Sequence, residues 1–121
     1  MLTVRILALF ALVLAIALPA TAAAFPVGLQ ATPHTLAAGS VLHVHGNVGN
    51  GCSHHGSVTV ISNAFHAGHD FAGVNAIFIK IRSSGNFAAT TRIPSSRAPG
   101  AYHIGARCGG GSFGNITLHV T

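Results

Sequence analysis

The chain has 121 residues, 50% of them apolar, and carries six Lys and Arg against one acid, Asp70, so its pI near 10.8 reflects missing acids more than abundant bases. With no Glu and a single Asp, paired-carboxylate acid–base chemistry is excluded. The cations are scattered and the aromatics few, which argues against nucleic acid as a partner, because that footprint needs clustered bases and stacking rings.

The first segment does not read as part of a fold. Arg5 precedes an unbroken apolar run from Ile6 to Leu18, followed by Pro19 and the small residues Ala20 to Ala24. A basic residue, a short apolar run and Ala-x-Ala make a secretory signal peptide, and the run falls short of the roughly 20 residues a membrane-spanning helix needs. The expected organisation is a leader over residues 1–24 and one exported domain over residues 25–121, with no membrane span in the mature chain.

The exported part reads as strands and turns. Between Pro26 and Pro33 lies a short first strand whose flanking prolines suit a sheet edge. Val41 to His45 is the next strand, with Leu42 and Val44 facing in and Val41, His43 and His45 facing out. Asn47 to Gly56 is a turn-rich loop centred on Asn50-Gly51 and carrying Cys52, His54 and His55. Ser57 to Ile61 is a strand with Val58 and Val60 inward. Asn63 to Asn75 has no clear period and is equally consistent with a loop or a short irregular strand.

Ala76 to Arg82 alternates again, with Ile77, Ile79 and Ile81 on one face. Ser83 to Asn86 predicts a short hairpin loop into the strand where Phe87, Ala89, Thr91 and Ile93 share the inner face. Pro94 and Ala98-Pro99-Gly100 then force a corner, and in the following strand Tyr102, Ile104, Ala106 and Cys108 face in while His103, Gly105 and Arg107 face out. Gly109 to Gly114 reads as a glycine-rich hairpin loop. Its Gly-x-Gly-x-x-Gly spacing lacks the following helix that a dinucleotide site requires. Asn115 to Thr121 is the last strand, with Ile116, Leu118 and Val120 inward; pairing Arg107 with Asn115 predicts His103 opposite His119. Asn115-Ile-Thr117 fits a glycosylation sequon, to which we assign no role. About seven short strands with regular turns predict an all-β fold, a single antiparallel β-sandwich.

Two cysteines in a chain with an export leader predict a Cys52–Cys108 disulfide, because the destination is oxidising. The histidines are the most individual feature. His43 and His45 stand on one strand face about 6.6 Å apart along the backbone, near enough to share an ion. His34 and the loop residues His54 and His55 are the candidate additional ligands, and His66-x-x-His69-Asp70 is a weaker set. Imidazoles suit zinc, copper or nickel, and the plainer reading beside metal binding is polar decoration of outer faces that keeps a chain of low charge content soluble.

The runs TPHTLAAGSVLHVHG, GNFAATTRIPSSRAPGAYHIGARCGG and ITLHVT resemble the bacterial secreted immunoglobulin-like domains. That family's grammar is a Pro-containing first strand, an A-x-G turn, a V-x-V-x-G strand, a Cys-bearing loop, then G-x-F, I-P, P-G-x-Y and a closing L-x-V-T. The resemblance spans most of Ala31 to Thr121 and implies an Ig-like sandwich whose corner rests on Pro99, Gly100 and Tyr102. Such domains serve as spacers, adhesins and binding modules, so the implied role is a structural or surface-interaction module, secreted or cell-wall associated, whose partner is a protein or the envelope surface. No nucleophile-elbow pattern supports a Ser–His enzyme built on Asp70, and the expectation is non-enzymatic, with no obligatory cofactor. The alternatives are a His-rich module for transition metals and an apolar-ligand carrier. The enediyne-binding apoproteins are similar to the chain in architecture, but their usual pair of disulfides cannot be built from two cysteines.

Overall fold

The computed structural model describes residues 24–109 and 111–121; the leader reading concerns residues that lie almost wholly outside these. The described chain is all-β. In order it forms β1 (Gly28–Thr32), β2 (Thr35–Leu36), β3 (Val41–Asn47), β4 (Ser57–Ser62), β5 (Asp70–Phe71), β6 (Val74–Lys80), β7 (Asn86–Arg92), β8 (Gly100–Cys108) and β9 (Gly111–Val120). The seven longer strands overlap the stretches where the alternation places them, except that β6 starts and ends two residues early, at Val74 and Lys80, and β9 starts early, at Gly111; β2 and β5 are two-residue additions. Among the described residues no helix is long and apolar enough to cross a membrane.

The strands divide into a three-stranded sheet, β1-β3-β7, and a six-stranded sheet, β2-β9-β8-β4-β6-β5. All pairings are antiparallel except β2 with β9. Inward side chains of both sheets meet in one core that includes Leu29, Leu42, Val44 and Phe87 from the smaller sheet and Val58, Val60, Ile104 and Leu118 from the larger. The period-two reading of β3, β4, β7 and β8 is therefore correct, because each of these strands has one face in the core and one face outside. Phe65 is also fully buried, so the aperiodic stretch after β4 contributes a core plug, worth about 2–3 kcal/mol by area. Its backbone is held by two side chains: Asn75 Nδ2 and Arg97 Nη2 both donate to the Phe65 carbonyl at 2.8 Å.

Two connections differ from expectation. The turn at Ser83–Asn86 is tight, with the Arg82 amide donating to the Asn86 carbonyl at 2.8 Å, but it is not a hairpin within a sheet. It carries the chain from β6 in the larger sheet to β7 in the smaller, because the inward faces of both strands point at the same core from opposite sides. The β8–β9 hairpin is longer and tighter than expected. Cys108 sits opposite Gly111, so most of the glycine-rich stretch is strand, and a bulge between Ala106 and Arg107 shifts the register. His103 consequently lies opposite Thr117 and His119 opposite Ala101, two positions from the expected pairing.

The corner between β7 and β8 is fixed by hydrogen bonds. Gly39 N donates to Ile93 O at 2.9 Å, Arg97 N to Pro94 O at 3.0 Å, and the Tyr102 hydroxyl to Ala98 O at 2.6 Å. Pro99 and Gly100 lie inside the loop that this hydroxyl closes.

Candidate functional site

A glycine between two basic residues shapes the outer face of the larger sheet. On β8, His103, Gly105 and Arg107 point outward in succession, so a side chain is missing midway between the two bases. Gly105 pairs with Ile61 of β4 on one side and Asn115 of β9 on the other, while Arg107 pairs with Thr59 and Ser112. Around this gap lies a cleft of about 450 Å³, lined among others by Ile61, Asn63, Val74, His103, Arg107 and Asn115. That volume falls within the range of small-molecule sites, roughly 300–1,000 Å³.

Two local irregularities lie next to residues of its lining. Opposite Ala106 and Arg107, β9 carries one extra residue, Phe113, which packs against the core, and Arg107 pairs with Ser112 just beyond this bulge. Opposite, β5 and β6 are joined by Ala72-Gly73 with φ of 52° and 81°, both in the left-handed region. Ala is an uncommon occupant of such a turn. The turn brings Phe71 over the sheet, where the Arg107 guanidinium carbon lies 5.7 Å from the ring centroid, within cation–π range. Among the described residues Arg107 has no hydrogen bond or ion pair, so its N–H donors are uncommitted.

The histidines are distributed rather than gathered. His43 and His45 share the outer face of the smaller sheet, opposite Thr90 and Ala88 on β7. His45 Nε2 is 3.2 Å from Gln30 Oε1, and its ring meets Phe25 edge-on at 5.5 Å. His54 is turned inward over its own loop, with Nε2 2.7 Å from Gly49 O and Nδ1 3.0 Å from Ser83 O. Both of its nitrogens lie within hydrogen-bond distance of backbone carbonyls. His34 and His55 are exposed, as are His66 and His69. Among the described residues no three of His, Cys, Asp and Glu converge on a point that could hold a metal. His103 and His119 stand on the larger sheet, across the core from His43 and His45.

Cys52 and Cys108 are joined, with Cα atoms 5.9 Å apart. The bond ties the loop after β3 to the end of β8 and so to the strand that carries His103, Gly105 and Arg107. Sequence reasoning placed these three on an outer face without recognising the gap, and it missed Phe71, which lies in the stretch that has no period.

No protein-family model, curated protein or solved structure shows a significant match to the chain.

Proposed function

We propose that the chain is an exported, non-enzymatic immunoglobulin-like β-sandwich that works by contact with a partner at the cell envelope or outside it, through the outer face of its larger sheet. The observation that carries this reading is the cleft around Gly105, which offers hydrogen-bonding groups and one uncommitted cation on an otherwise regular sheet. An Ig-like assignment draws support from the split into two sheets with chain crossovers between them, and from the Tyr102–Ala98 bond, the kind of contact made by the tyrosine corner of such sandwiches. Export is supported by the leader pattern and by the disulfide, which suits an oxidising compartment.

The test uses protein exported with its own leader. Intact mass should begin at Phe25 or Ala24, and a mass that retains residues 1–23 would overturn export. The recovered protein is then sedimented with washed bacterial envelope material. Retention weakened by Gly105→Leu, which fills the cleft, is the expected result. Absence of retention for the unaltered protein, or retention indifferent to that change, would overturn contact through this face.

A further inference from the structure

We propose that the cleft on β4, β8 and β9 binds a small ligand that presents an oxyanion, a carboxylate or phosphate, on a body with an apolar side. The inference deepens the surface-contact reading and rests on it for the choice of face. Its own support is local.

Arg107 supplies the recognition. A guanidinium presents a planar fork of N–H donors matched to carboxylate and phosphate oxygens, and it stacks on aromatic faces without losing those donors. Here one side of it is held by the Phe71 ring at 5.7 Å. Asp70, the only acid in the sequence, does not neutralise it, so the cation is available to an anion from solution.

The apolar side follows from the floor. Ile61 and Val74 are half-buried, and between His103 and Arg107 the strand offers only the Gly105 backbone. A Cβ built on Gly105 would meet Ile61 Cγ1 at 3.6 Å and Gly114 O at 3.8 Å, ordinary contacts, so the backbone does not demand glycine here. The φ of Gly105 is not in the left-handed region, and any side chain could be accommodated by the strand. What a side chain would remove is the open volume. Along β8, His103 lies about 13 Å from Arg107 at a strand rise of about 3.3 Å per residue, leaving room for one ring or sugar-sized body between them. Asn63, His103 and Asn115 line that space with polar groups suited to hydroxyls of the ligand.

Ala72, next to Phe71, holds a φ of 52° that a non-glycine residue rarely adopts, and such positions recur at ligand clamps.

The test is amide-resolved NMR titration of the disulfide-bonded protein with benzoate and phenyl phosphate, using benzyl alcohol as the neutral control. The expected result is a shift of the signals from His103 to Arg107, Ser112, Asn115 and Val74, with benzyl alcohol binding about ten-fold more weakly or worse. Arg107→Gln should lower oxyanion affinity by about ten-fold or more, the worth of a charge-assisted pair. Gly105→Leu should abolish the shifts while the spectrum stays dispersed. Whichever oxyanion binds tighter identifies the source. Equal affinity for benzoate and benzyl alcohol, or affinity unchanged in Arg107→Gln, would overturn the proposal. If the protein is retained on envelope material through this face yet neither oxyanion moves the cleft signals, the oxyanion inference falls and the surface-contact reading stands. Cleft binding without envelope retention supports the oxyanion site and overturns the surface-contact reading.

Discussion

Asn47 and Asn86, opposite each other on β3 and β7, form a buried amide pair in which Asn47 Nδ2 donates to Asn86 Oδ1 at 2.9 Å. Asn47 Nδ2 also reaches Ser84 O at 3.1 Å, and its Oδ1 accepts the Gly49 amide at 2.7 Å. One side chain thus joins the end of β3, the loop that follows it and the crossover into β7. Asn47→Ala is expected to destabilise by about 2–3 kcal/mol, because the buried Asn86 amide and two partly buried backbone groups lose their bonds together. Chemical denaturation of Asn47→Ala, Asn86→Ala and the double variant should show strong coupling, and additive losses would contradict the pairing.

A second expectation concerns Thr91. Its Oγ1 is buried among the described residues without a hydrogen-bond partner, on the inner face beside Phe87 and Ile93. Val keeps the shape and removes the stranded hydroxyl. Thr91→Val should therefore stabilise the protein by about 1 kcal/mol, read as a raised Tm in thermal unfolding.

The glycines predict a contrast. A Cβ on Gly46 would strike the Gly28 carbonyl oxygen of the neighbouring strand and approach Cζ of the buried Phe87 to 2.7 Å. Gly46→Ala should cost more than about 2 kcal/mol, since backbone and a packed ring must move. Gly105→Ala, with only ordinary contacts, should stay within about 1 kcal/mol of the unaltered protein. Parallel denaturation curves decide it, and similar losses at both positions would remove the argument that Gly105 keeps space rather than shape.

Removal of the disulfide sets a larger scale. Cys52 and Cys108 are 56 residues apart in sequence, and by loop entropy the cross-link contributes about 4 kcal/mol. Cys52→Ala with Cys108→Ala should lower the denaturation midpoint accordingly, and an unchanged midpoint would show that the unfolded chain is already constrained.

For metals, His43 and His45 come without a third protein ligand among the described residues. Zinc, copper and nickel should each bind weakly and leave Tm nearly unchanged, because structural zinc takes four ligands. Calorimetry on the protein and on His43→Ala with His45→Ala checks this. Tight binding lost in that double variant would restore the metal reading.

Strand positions were legible because alternation reports one buried face directly: Leu42 and Val44, Val58 and Val60, and Ile104 and Ala106 all lie where period two puts them. Topology was less legible. A turn such as Ser83–Asn86 has the same residues whether it joins neighbours in one sheet or crosses between two, since both arrangements point Ile81 and Phe87 into the core. The register of the last hairpin was hidden because the chain turns tightly at Cys108–Gly111, inside a glycine-rich run whose composition reads as loop, and a bulge then shifts the pairing by one residue. At the cleft, the outward trio His103, Gly105 and Arg107 could be read from sequence, and a glycine between two bases on one face was the available signal. Phe71 could not be placed, because its position depends on the Ala72-Gly73 turn rather than on any period.

The division of strands between sheets also governs when the fold can exist. β3 finds its second neighbour only when β7 arrives, four strands later, and β4 gains one of its two neighbours only with β8. The last strand then closes the larger sheet, with Gly114 lying against Leu29 of the first. Few of these pairings are local, so an emerging chain has little to assemble prematurely, and sandwiches of this kind fold in milliseconds to seconds rather than microseconds.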